Sequence, residues 1–124
     1  MKRDKTNSVK KVLIADDDYI TTEMYKTIVE DLGHKVVAIT HTGDDTIKKT
    51  IEFHPDIVLL DVKMDYRNTG IDACKSIKDK FPKIKVYLLT AYVKEIFEED
   101  LLDTHHDGFI DKMKFINIAE EILK

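Results

Sequence analysis

The chain has 124 residues, 43% of them hydrophobic, which suffices for one globular domain with its own core and is too few for two. Its 24 acidic and 20 basic residues give a formal net charge of -4, which argues against nonspecific binding of nucleic acids. No apolar run approaches the roughly 18 residues of a membrane span, and the polar start is unlike a signal peptide. We therefore expect a cytoplasmic protein without a membrane partner. The single cysteine, Cys74, excludes an intrachain disulfide.

Short apolar runs alternate with segments of helical spacing along the chain. After a flexible polar arm at residues 1–10, the runs predict five strands, at 12–15, 35–40, 55–61, 84–90 and 108–111. The segments between and after them predict five helices, the fourth of which spans about 93–103. The side chains expected to point inward are Ile20, Met24, Ile28 and Leu32; Ile47, Thr50, Ile51 and His54; Ile71, Cys74, Ile77 and Phe81; Val93, Ile96, Phe97 and Leu101; and Phe115, Ile118, Ala119 and Ile122.

This alternation of strands and helices predicts parallel βαβ units. We expect a single α/β domain at residues 11–124, with a doubly wound, five-stranded parallel sheet and five helices on its two faces. In the strand order 2-1-3-4-5, the first and third strands are neighbours at the topological switch point, where open α/β sheets bind ligands. The four residues before Asp61, 57–60, are all apolar, as is typical of a strand buried on both faces.

Polar side chains stand at the carboxyl ends of four predicted strands. Asp16 and Asp17 follow the first strand, Asp61 ends the third, Thr90 ends the fourth and Lys112 follows the fifth. Three crowded carboxylates repel one another, and Mg²⁺, which prefers hard oxygen ligands, would offset that repulsion. The three negative charges would then balance two from the metal and one from Lys112. With Asp61 as the nucleophile, this pattern predicts transfer of a phosphoryl group to an aspartate.

Four motifs, in this order, resemble those of the receiver domains of response regulators in two-component signalling. They are Leu13-Ile14-Ala15-Asp16-Asp17-Asp18, Pro55-Asp56-Ile57-Val58-Leu59-Leu60-Asp61, Leu89-Thr90-Ala91 and Gly108-Phe109-Ile110-Asp111-Lys112. The resemblance implies that Asp61 is the phosphoacceptor and that Thr90 and Phe109 form a switch pair. The Mg²⁺ ligands that it implies are Asp16, Asp17, Asp61 and the carbonyl of Lys63.

The resemblance also implies partners. A sensor histidine kinase or a phosphotransfer protein would supply the phosphoryl group. The fourth helix, fifth strand and fifth helix would present a changed surface to a downstream protein target or an output domain, or support a phosphorylation-dependent homodimer. We expect no direct nucleic-acid binding by this domain. Because no output module follows Lys124, the chain is expected to be a stand-alone receiver or a fragment of a longer regulator. Met113 stands where receivers usually have a proline, so we expect a trans peptide bond after Lys112.

Two other functions compete with a phosphorylated switch. A pseudo-receiver would bind partners without depending on phosphate, but its usual sign, the loss of an acid or of the lysine, is absent. A free-standing Mg²⁺-dependent phosphohydrolase would need a second acid just after Asp61 to protonate a leaving group, and a cap domain for its substrate; the sequence offers neither. We therefore expect a signalling protein and not an enzyme.

Overall fold

The computed structural model of the chain describes residues 8–64, 69–96 and 98–124. Five parallel strands form one sheet: β1 (Lys11–Ala15), β2 (Lys35–Thr40), β3 (Ile57–Asp61), β4 (Lys85–Thr90) and β5 (Gly108–Asp111). Their order is β2-β1-β3-β4-β5, which confirms the predicted topology. Most of the predicted arm, residues 1–7, lies outside the described residues.

The strand β3 lies at the centre of the sheet and is buried along its whole length. Val58 and Leu60 enter the core cluster on one face of the sheet, while Ile57 and Leu59 enter the cluster on the other. This alternation explains why residues 57–60, before Asp61, are all apolar.

Four α-helices cover the two faces: α1 (Tyr19–Asp31), α2 (Gly43–Phe53), α3 (Thr69–Lys80) and α4 (Phe115–Ile122). Side chains of α1 and α4 pack in the cluster on one face, and those of α2 and α3 pack on the other. Cys74 is fully buried on α3, as its helical position predicts. Among the described helices, none combines the length and the hydrophobicity that crossing a membrane requires.

The predicted helix at 93–103 is wrong, so the described residues contain four α-helices in place of the predicted five. Its described part contains two short 3-10 turns, Val93–Glu95 and Glu98–Leu101, and Phe97 lies outside the described residues. Three consecutive acids begin at Glu98, so they would fall in the C-terminal half of such a helix, where the helix dipole disfavours negative charge. The prediction that Ile96 and Leu101 point inward is confirmed, because both side chains pack against the core.

The inward face predicted for α1 is also partly wrong. Ile20 and Met24 are exposed, and the buried residues of the helix are Thr22, Tyr25 and Val29. Residues four apart drift by about 40° around an α-helix, so the repeat from residue 20 to residue 32 cannot stay on one narrow face. Only its later members, Ile28 and Leu32, pack against the core.

On α2, the prediction fails for Ile51 and His54, which are exposed. The prediction is confirmed for Thr50, which is buried together with Gly43 and Thr46, and for Ile47, which packs against the core. His54 follows the helix with a positive φ of 46°, and Pro55 comes directly after it. A residue before proline is disfavoured in the α conformation, which explains why the helix ends here.

Candidate functional site

Three carboxylates meet at the carboxyl edge of the sheet. Asp16 and Asp17 directly follow β1, and Asp61 ends β3, which pairs with β1. One carboxylate oxygen from each residue lies within 4.8 Å of the other two. Asp16 and Asp61 are only 1% and 6% exposed, whereas Asp17 is open to solvent. The site thus has two buried acids and one acid at its surface.

The ammonium group of Lys112 joins the two buried acids. Its Nζ lies 2.6 Å from Oδ2 of Asp16 and 3.2 Å from Oδ1 of Asp61. Burial alone would lower the pKa of Lys112, but the hydrogen bond to Asp16 and the charges of Asp61 and Asp16 outweigh it and raise the pKa above its ordinary value. Lys112 is therefore a fixed positive charge at neutral pH.

Asp61 is the acid whose ionisation is most disturbed. Burial, followed by the negative charge of Asp16, raises the pKa of Asp61 to about 7, although Lys112 opposes the shift. A carboxyl group that is half protonated near neutral pH needs further positive charge to ionise fully. A cation at this edge of the sheet would provide it.

The donor atoms of the cluster suit Mg²⁺. Asp16, Asp17 and Asp61 offer hard carboxylate oxygens, which are the ligands that this ion prefers. When all three are ionised, their charge exceeds that of Lys112 by two, which matches a divalent cation. The residues present therefore fit a magnesium site.

Asp16 is anchored through all of its polar atoms. Its N–H donates to the carbonyl of Thr40 at 3.1 Å, and its Oδ1 accepts the N–H of Asp18 at 2.9 Å. Its Oδ2 accepts from Lys112, and its carbonyl oxygen lies 2.8 Å from Nδ1 of His41. Because a carbonyl can only accept, Nδ1 of His41 carries the proton of this bond.

His41 is a site residue that sequence reasoning missed. Its ring stacks on the ring of Tyr19, with 3.9 Å between centroids and a tilt of 32°. The ring contact and the hydrogen bond from His41 connect the turn that carries Asp16 and Asp17 to the end of β2. The sequence carries a signal for it, since His41 directly follows β2 at the same sheet edge as the acids.

The remaining predicted residues lie on β4, on β5 and just after β3. Thr90, 2% exposed, ends β4, and its Oγ1 accepts the N–H of Tyr92 at 3.0 Å. Phe109 on β5 is partly buried against the core cluster that contains α3, opposite Leu88 in the strand register. Lys63 lies two residues after Asp61, with its side chain exposed. In the described part of the chain no peptide bond is cis, including the one between Lys112 and Met113.

Gly70, at the start of α3, packs directly against the end of β3. A Cβ atom placed on Gly70 would lie 1.8 Å from the carbonyl oxygen of Asp61 and 2.9 Å from that of Val62. The N–H of Gly70 also donates to the Val62 carbonyl at 3.1 Å. This close approach fixes the backbone from which the Asp61 side chain projects.

Comparison with known proteins assigns a family. A family model described as the response regulator receiver domain matches residues 12–122. The response regulator protein VraR of Staphylococcus saprophyticus is 35% identical over 118 residues, which cover 92% of this chain and 55% of that protein. The chain spans about half the length of the curated relatives it matches.

Solved structures share the fold. The response regulator domain of Thermotoga maritima CheB matches with a TM-score of 0.78 and 29% identity, over 94% of this chain and 92% of that one. A DNA-binding response regulator of the LuxR family from Staphylococcus aureus matches with a TM-score of 0.79 and 25% identity, over 93% of each chain.

Proposed function

The chain belongs to the response regulator receiver domain family, and on this premise we propose that it is switched by Mg²⁺-dependent phosphorylation of Asp61. The proposed receiver unit is residues 11–124. The observation that carries the proposal is the position of Asp61: it is buried, within 4.8 Å of two other carboxylates, and paired with Lys112. A strand-end acid with only a structural role would not need this surrounding charge.

Asp61 acts as the nucleophile. One oxygen of its ionised carboxylate attacks the phosphorus in line, and the new P–O bond forms as the bond to the donor breaks. With a phosphohistidine donor the broken bond is P–N, and the imidazole leaves with the electron pair. Lys112 favours the reactive form, because its charge lowers the pKa of Asp61 against the effect of burial.

The neighbouring groups stabilise charge on the phosphoryl oxygens. The ammonium of Lys112 already reaches both buried acids, so it can donate to a phosphoryl oxygen carried by Asp61. Thr90 uses its oxygen to accept from Tyr92, which leaves its own proton for a second phosphoryl oxygen. Asp16, Asp17, Asp61 and the Lys63 carbonyl would hold Mg²⁺, which would supply the remaining positive charge next to the phosphoryl group.

Phosphorylation of Asp61 changes the conformation of residues on β4 and β5. Movement of Thr90 toward the phosphoryl group opens space on the sheet face that Phe109 shares, and the ring of Phe109 turns inward behind it. This changes the surface formed by the two 3-10 turns, β5 and α4. That surface meets a downstream protein, an output domain or a second copy of the domain; the S. aureus relative is named as a DNA-binding response regulator. A histidine kinase or phosphotransfer protein supplies the phosphoryl group in the cytoplasm.

Intact-mass spectrometry tests the proposal directly. The protein is incubated with acetyl phosphate, with and without Mg²⁺, beside the variants Asp61→Asn and Asp56→Asn. Asp56 is a matched control, because it precedes the same strand at the opposite edge of the sheet. We expect a phosphoryl adduct that requires Mg²⁺, persists in Asp56→Asn and is lost in Asp61→Asn.

The absence of an adduct would contradict the proposal. If Mg²⁺ binding, measured separately by titration, were intact in that case, the pseudo-receiver would become the better assignment. Continuous turnover of small phosphate esters would instead favour a phosphohydrolase.

A further inference from the structure

The amino edge of the sheet, opposite the acid cluster, is rich in lysine. Three of the five strands begin with this residue, at Lys11, Lys35 and Lys85. Lys11 and Lys35 are directly paired in the register of β1 and β2, an arrangement of like charges that is unfavourable. A chain with a net charge of -4 thus concentrates positive charge at one end of its sheet.

A cavity of about 380 Å³ opens at this edge. Its ionisable lining consists of four lysines, one histidine and one acid: Lys10, Lys83, Lys85, Lys124, His54 and Asp56. The buried residues Pro55, Ile57 and Ile84 form the apolar part of the lining. The volume lies within the range of small-molecule sites, roughly 300–1,000 Å³.

The positive charge of this cavity is only partly offset from within, by the single carboxylate of Asp56. The carboxylate of Asp56 accepts the backbone N–H of Lys11 at 2.8 Å, and Lys124 pairs with Glu121 at the surface. Across the described ranges, the ammonium groups of Lys10, Lys83 and Lys85 form no ion pair with an acid. These three residues line the cavity from just before β1 and from the start of β4.

We propose that this cavity binds a small anion that carries a phosphoanhydride group, either free oligophosphate or a nucleoside polyphosphate. Ammonium groups on separate elements match an anion whose charges are spread over linked phosphates better than one with a single charge. The apolar floor and the exposed ring of His54 leave room for an organic part. The site is separate from Asp61 and lies at the other end of the sheet.

Amide chemical shifts in two-dimensional NMR test the site. Pyrophosphate is titrated into the protein without Mg²⁺, and ADP is titrated in a second arm. We expect saturable shifts centred on Lys10, Ile57, Ile84 and Lys85 in the pyrophosphate arm. Tighter binding of ADP, with added shifts at His54, would assign a nucleotide, whereas equal or weaker binding would assign inorganic oligophosphate.

Two double variants distinguish binding of pyrophosphate in this cavity from its nonspecific attraction to lysine residues. Lys83→Glu/Lys85→Glu should weaken pyrophosphate binding about tenfold or more. Lys94→Glu/Lys114→Glu makes the same change of charge with exposed lysines that follow β4 and β5 at the carboxyl edge, and should leave the dissociation constant within about twofold.

Equal weakening in both double variants, or saturation without shifts around the cavity, would overturn the proposal. The Asp61→Asn variant should bind pyrophosphate as the unaltered protein does. A change in the dissociation constant of that variant, in particular tighter binding after the loss of a negative charge, would place the anion at the carboxyl edge and would equally refute the site. This result is independent of whether Asp61 accepts a phosphoryl group.

Discussion

Asp61 combines two properties that conflict in the unmodified domain: it is buried, and it must ionise to react. Burial and the charge of Asp16 raise the pKa of Asp61 to about 7, well above its value in an unfolded chain. Between these two pKa values the folded state binds more protons than the unfolded state, so stability falls as the pH rises through this window. Above pH 7 the full cost of holding the buried charge is present.

Replacing this charge should therefore stabilise the domain. In Mg²⁺-free buffer, we expect Asp61→Asn to raise the free energy of unfolding by about 1–3 kcal/mol at pH 8. The gain should shrink toward pH 5, where the Asp61 carboxyl is protonated in the folded state. Denaturant unfolding across this pH range measures the difference. Asp17→Asn is the control, since its exposed carboxyl should give a smaller gain; no gain for Asp61→Asn at pH 8 would contradict the explanation.

At the scale of elements, the junction between β3 and α3 sets the position of the nucleophile. Gly70→Ala would place a methyl group in a clash with the backbone of Asp61. Because the atoms that it meets belong to the backbone of Asp61 and Val62, no side-chain movement can relieve the clash. We expect a loss of about 2–4 kcal/mol in the free energy of unfolding, together with slower phosphorylation of the molecules that remain folded. Thermal unfolding and acetyl-phosphate labelling measure the two effects.

Gly43→Ala, at the start of α2, provides the matched control for Gly70→Ala at the start of α3. A Cβ on Gly43 would lie 3.1 Å from the Thr69 carbonyl oxygen and 3.3 Å from the Thr69 Cβ, distances that a shift of a few tenths of an ångström relieves. Its position in α2 also favours alanine over glycine. The change in the free energy of unfolding should stay within about 1 kcal/mol. A similar loss in both variants would mean that the β3–α3 junction is not specially constrained.

The elements also show which features the sequence could predict. The strands were found within one or two residues, because buried parallel strands are short apolar runs with sharp ends, as at Asp61. The acid cluster followed from those ends and from the strand order. Sequence periodicity could not decide which side of α1 faces the sheet, where Tyr25 is buried and Ile20 is exposed. Nor could it find the contact between Gly70 and Asp61, which depends on how α3 meets β3.

At the scale of the whole molecule, the acid cluster lies at the carboxyl edge of the sheet, and the lysines that begin three strands lie at the amino edge. The carboxylates of Asp16, Asp17 and Asp61 come from the ends of β1 and β3, and Lys112, which pairs with Asp16, directly follows β5. Repulsion among the acids therefore opposes formation of the complete sheet and not only of a local loop. A cation that relieves it should stabilise the fold as a unit.

Magnesium should consequently raise the unfolding temperature of the whole domain. At a concentration about tenfold above its dissociation constant, the gain is about 1.4 kcal/mol, which corresponds to a few degrees for a domain of this size. The gain should be larger at pH 8 than at pH 6, because Asp61, with a pKa of about 7, must lose its proton to bind the ion. Calorimetry with KCl at equal ionic strength separates this effect from screening. Asp61→Asn should lose most of the Mg²⁺ response; an undiminished response would mean that the ion acts elsewhere on the protein.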